Sequence, residues 1–143
     1  MKAKDLMIGD WLKCSDPTPF RITDIETENG TSYFRVTGDD GWVVDGGELE
    51  PIPLTAEILE KNGFEELMSE SEVSAARFGR KPEPTGVWQY GFGRFDSVAY
   101  VPEQSFLRIK FMEGYTADMA NIKYVHELQH ALRLCGVEKE IIL

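Results

Sequence analysis

Up to Leu54 the apolar positions fall in short runs of strand character: Trp11-Leu12-Lys13-Cys14, Phe20-Arg21-Ile22-Thr23, Tyr33-Phe34-Arg35-Val36-Thr37 and Trp42-Val43-Val44. Between them stand Ser15-Asp16-Pro17, Glu28-Asn29-Gly30 and Gly38-Asp39-Asp40-Gly41, which supply the positive-φ and fixed-φ positions that hairpin turns require. Four or five short strands at a spacing of about ten residues predict a small, strongly bent sheet or SH3-like barrel over residues 1–54. Ile22, Phe34, Val36, Trp42 and Val44 are its expected core. The two tryptophans of this part could line a peptide groove, but a barrel this small needs large side chains inside, which favours the core.

Glu50-Pro51-Ile52-Pro53-Leu54 reads as a stiff connector, because two prolines remove donors and hold their neighbours extended. Beyond it, residues 55–143 predict a small α+β part with two helices and an antiparallel sheet. Thr55 is placed to cap a helix of about two turns that stops at Asn62-Gly63. Residues 65–86, charged and weakly periodic, predict a mobile loop. Trp88, Tyr90 and Phe92 then alternate onto one strand face; Val98-Ala99-Tyr100-Val101 follows, and Phe106 to Phe111 puts Leu107, Ile109 and Phe111 inward with Arg108 and Lys110 outward. A closing helix is expected from about Ile122, capped by Asn121, to Cys135 and Gly136, with a last strand over Glu140-Ile141-Ile142-Leu143. No segment repeats.

The 143 residues bear 25 acidic and 15 basic side chains, a net charge of −10. Residues 1–54 hold eleven acids and five bases, and the remainder fourteen and ten. Such a field opposes general binding to DNA, RNA or anionic membranes. An acidic mimic of nucleic acid is the sharper reading of that charge, but the acids are scattered among turns and not set in rows. No apolar run approaches the roughly 18 residues of a membrane span. Cys14 and Cys135, 121 positions apart, lack metal-ligand spacing and read as free thiols of a cytoplasmic protein.

Three stretches, Ile8-Gly9-Asp10-Trp11, Glu50-Pro51-Ile52-Pro53-Leu54-Thr55 with Leu59 and Gly63-Phe64 behind it, and Lys123-Tyr124-Val125-His126-Glu127-Leu128-Gln129, together resemble a large set of small uncharacterised proteins found in phages and mobile elements of Bacteroides-type gut bacteria. The resemblance covers about a third of the chain and leaves residues 65–105 unmatched. It implies a cytoplasmic accessory role on a mobile element and supplies no activity. It also implies that the positions matching Glu127 and His130 often carry Gln and Asn, which makes the motif described next a local feature of this chain.

His126-Glu127-Leu128-Gln129-His130 satisfies H-E-x-x-H, the spacing that in zinc peptidases sets two imidazoles one helical turn apart on Zn²⁺ beside a general-base carboxylate. Both histidines of the chain belong to it. At 100° per residue, however, Tyr124, Val125, Leu128, Ala131, Leu132 and Cys135 form the apolar stripe, and His126 and His130 fall on the opposite face with Lys123, Gln129 and Arg133. That face is expected to be solvated, with two cations that would repel a dication. A third ligand is absent from its usual places: Gly136 stands where the extended motif has its third histidine and Arg133 where it has its glycine. Only an upstream carboxylate such as Asp96 or Glu113 remains.

Tyr90-Gly91-Phe92-Gly93-Arg94-Phe95 brushes against the aromatic strand of RNA-binding RRM sheets but lacks the preceding basic residue, and Gly91-Phe92-Gly93 falls short of a dinucleotide loop. No serine sits in G-x-S-x-G. The chain therefore reads as an α+β protein whose expected role is non-catalytic: an interaction or assembly accessory with a protein partner and no cofactor. The alternative is a zinc hydrolase using His126, His130 and Glu127. Oligomeric state has no signature.

Overall fold

The computed structural model describes residues 1–93 and 96–143. Strands β1 (Trp11–Lys13), β2 (Phe20–Thr27), β3 (Phe34–Gly38), β4 (Val43–Asp45) and β5 (Glu50–Pro51) form an antiparallel sheet of order β4-β3-β2-β1-β5. The expected short strands and their turns are present, whereas closure into a barrel is not: β4 and β5 lie at opposite edges with no pairing between them. Leu12, Phe20, Ile22, Phe34, Val36, Val44 and Leu49 bury their side chains in one cluster. Pro51, paired with Leu12, sits on an edge strand, where a missing N–H breaks no ladder.

Helix α1 (Ala56–Lys61) begins as expected, the Thr55 hydroxyl accepting from the Ile58 N–H, and ends before Gly63 at φ 81°. The second sheet, of order β10-β9-β8-β7-β6, is a meander of β6 (Glu65–Met68), β7 (Pro84–Gly91), β8 (Ser97–Val101), β9 (Phe106–Lys110) and β10 (Thr116–Met119). Its core face carries Trp88, Val98, Tyr100, Leu107 and Ile109, joined by Leu59, Phe64 and the apolar stripe of the closing helix α3 (Val125–Leu134).

Four expectations need correction. Residues 65–86 are not a loop: they contain β6, the helix α2 (Glu72–Arg77) capped by the Ser71 hydroxyl, and the start of β7. Their periodicity is weak because only Ala75 of α2 is buried, and a bidentate Arg80–Glu70 pair at 2.6 and 2.9 Å fastens the segment instead. Trp42 is not core but 73% exposed. It precedes β4 within the turn, where the Asp40 carboxylate accepts from its N–H and its carbonyl accepts from Gly38, so Val44 takes the inward position. The closing helix starts at Val125, with Asn121 in the left-handed region at φ 62° and Tyr124 extended. The last residues form no strand; Ile141 is buried and Ile142 is held by Asn62 through two hydrogen bonds of 2.7 and 2.8 Å.

Candidate functional site

The polar side of α3 is covered, not solvated. His126 is 6% and Gln129 5% exposed, and His130 is half-buried. What covers them is the segment before β1. Gly9, at φ 88°, permits a tight turn in which the Asp10 N–H donates to Met7 and the Met7 N–H donates back to the Asp10 carboxylate at 2.8 Å. Any side chain at Gly9 would also press on the Arg133 guanidinium. The turn delivers the Asp10 carboxylate, fully buried, against α3.

There it meets His130 Nε2 at 2.7 Å and Arg133 Nη1 at 3.2 Å. An ionised carboxylate only accepts, which assigns the His130 proton to Nε2. Gln129 bridges the same junction with both ends of its amide: Nε2 donates to the Gly9 carbonyl and Oε1 accepts from the Trp11 N–H, each at 3.0 Å. The Trp11 indole N–H donates to the Ile141 carbonyl at 2.8 Å. Arg133, expected to repel a metal ion, is thus an ion-pair partner of a buried acid. The expectation of a solvated His126 and His130 fails because helix phase identifies the stripe that packs on the sheet and is silent about a second layer behind it.

Glu127 occupies the third position of α3, and its Oε2 accepts from the Lys123 and Tyr124 N–H groups at 2.7 and 3.1 Å. These are orphan donors at the helix start, and the carboxylate beside them opposes the positive end of the helix dipole. His126 stacks on Tyr124 with ring centroids 6.0 Å apart and meets His130 edge-on at 5.7 Å. Its Nδ1 is buried without a hydrogen-bond partner. Burial pushes the His126 imidazole below its usual range, against the opposing pull of the Asp10 and Glu127 charges.

The proline connector reaches the same place. The Leu54 N–H donates to the Lys123 carbonyl and the Val125 N–H to that of Ile52, both at 2.9 Å, and Pro53 pairs with Tyr124. Residues 9–11, the connector and the start of α3 are therefore one junction. Asp10 is the member that sequence reasoning missed; its only signal is an acid after a turn glycine, and its partners on α3 lie 120 and 123 positions away.

Among the described residues no group of three or more His, Cys, Asp or Glu side chains could hold a metal ion. Asp96 accepts from the Met112 N–H at the sheet tip and Glu113 is exposed. The RRM-like stretch ends at Arg94 and Phe95, which lie outside the described residues; Trp88 is buried and Tyr90 and Phe92 are half-buried against the second core. Among the described residues no helix is long and apolar enough to cross a membrane. Comparison of the chain with protein families, curated proteins and solved structures finds no match.

Proposed function

We propose that this chain is a non-catalytic interaction or assembly accessory of a phage or mobile element of Bacteroides-type bacteria, acting on a protein partner in the cytoplasm. The observation that carries the non-catalytic reading is the engagement of Glu127 and His130. The carboxylate that a zinc hydrolase would use as general base holds two backbone N–H groups, and the imidazole that would ligate metal donates to a buried aspartate. A general base at Glu127 would have to leave the backbone bonds that fasten the start of the helix, and a metal on His130 would have to take Nδ1, because Nε2 is committed to Asp10. The mobile-element setting rests on the resemblance of the three stretches. We also read the first sheet as SH3-like: its order β4-β3-β2-β1-β5, a bent β2 with a register shift between Ile22 and Asp24, and the 3₁₀ turn at Gly46–Glu48 before β5 support that description.

One observation favours the zinc reading, the unpartnered His126 Nδ1. Full-length protein assayed for peptide hydrolysis with and without added zinc, alongside Glu127→Gln, separates the two. The accessory reading expects no zinc-stimulated hydrolysis and unimpaired biological activity in Glu127→Gln. Hydrolysis that zinc stimulates and Glu127→Gln abolishes would overturn it.

A further inference from the structure

At the edge of the first sheet a groove of about 510 Å³ runs between the β1–β2 loop, the β3–β4 turn and the 3₁₀ turn before β5. Phe20 contributes to its wall, and the outward side chains of Trp42 and Val43, 73% and 56% exposed, stand over it. Three carboxylates, Asp16, Asp40 and Glu48, line it, and no basic side chain does.

We propose that this groove binds an extended, basic segment of a partner protein, one that sets a Lys or Arg beside an apolar side chain. The proposal rests on the interaction reading above and gives the partner its chemistry. The backbone that carries the indole is fixed: the Asp40 carboxylate accepts from the Trp42 backbone N–H at 3.0 Å, the Gly38 N–H donates to the Trp42 carbonyl at 2.8 Å, and Gly41 closes the turn at φ 84°. With only two side-chain torsions to order, a Trp offers a large apolar surface at little conformational cost when covered, and Trp concentrates at binding hot spots. Its face also attracts cations.

The acids select the sign of the occupant. Backbone and hydroxyl hydrogen bonds from Thr18 keep the Asp16 carboxyl below its usual range, which favours its charged form. A second copy of this chain would bring a net charge of −10 to that rim, which disfavours self-association there. β4 bounds the groove and pairs with β3 on one side only, leaving backbone groups for an extended chain to meet.

The test selects a phage-displayed library of random dodecapeptides against the full-length protein and measures the winners as synthetic peptides against variants. The expected winners carry Lys or Arg next to an apolar residue. They lose at least tenfold in affinity with Trp42→Ala and severalfold with Asp16→Asn or Glu48→Gln, and their binding weakens as salt rises. Circular dichroism verifies that each variant is folded, which the exposure of Trp42 leads us to expect. No enrichment, enrichment of acidic or uncharged peptides, or binding indifferent to Trp42→Ala would overturn the proposal. So would a dimer of the unliganded chain in sedimentation that Trp42→Ala dissolves, because it would assign the groove to a second copy. None of these results bears on zinc-stimulated hydrolysis, so failure of the groove and failure of the accessory reading remain distinguishable.

Discussion

Removing the Asp10 carboxylate, which water does not reach, takes the shared acceptor from the Met7 N–H, from His130 and from the solvent-exposed Arg133 guanidinium. Breaking a fully buried pair from one side costs about 3–5 kcal/mol, and because Arg133 stays open to water Asp10→Ala is expected to lower the urea-unfolding free energy by less, about 2–4 kcal/mol. His130→Ala should cost about 1.5–3 kcal/mol as the loss of a hydrogen bond to a charged group. A cost below ~0.5 kcal/mol, typical of an exposed substitution, would return His130 to the solvent face that its helix phase implies. His126 behaves differently, because burial holds its imidazole below the ordinary value of 6.5. The unfolded chain takes up a proton near that value while the folded chain does not, so the His126 contribution is complete above about pH 6.5 and is lost as pH falls toward the folded value. His126→Leu, which removes an unpaired buried nitrogen, should leave stability at pH 7 unchanged or raised and flatten its decline below about pH 6.5. An unchanged slope in chemical denaturation across that range would contradict the assignment.

The elements divide by how local their determinants are. The turns, the Thr55 cap, the Gly63 and Gly136 stops and the alternation of Leu107 and Ile109 could be read from the sequence because each is set within a few residues. Helix α2 was illegible because it buries only Ala75, and strand β10 because its alternation, with Ala117 and Met119 inward, lasts only four residues. The polar face of α3 was misread for the opposite reason. Gln129 and His130 are covered by a segment about 120 positions away while Arg133 stays exposed, and no window along the chain contains that information. At this scale the capping role of Glu127 predicts that Glu127→Ala costs about 0.5–2 kcal/mol. Glu127→Gln, which keeps an acceptor, should recover most of that loss, as helix content followed by circular dichroism through a thermal melt would show. Leu128→Ala on the sheet-facing stripe should cost about 2–5 kcal/mol. In the first sheet a Cβ at Gly46 would overlap the Phe34 ring, so Gly46→Ala should cost about 1–3 kcal/mol by overpacking.

On the scale of the whole molecule, two clusters of buried apolar side chains are held together by a junction that is largely polar. Asp10, Gln129, His130 and Arg133 tie the first sheet's leading segment to α3, Arg21 pairs with Glu140, and the connector is bonded to residues 123–125. A sheet of about 50 residues is marginal alone, so the two parts are expected to unfold in one calorimetric transition; two resolved transitions would contradict that coupling. The central claim is that the face of α3 bearing the H-E-x-x-H residues is spent on fastening the fold. A double-mutant cycle between Asp10→Ala and His130→Ala in urea tests it most directly. Paired side chains should show a coupling of about 1–3 kcal/mol, whereas costs that add to within about 0.3 kcal/mol would mean that Asp10 and His130 do not hold each other and that the junction is built otherwise.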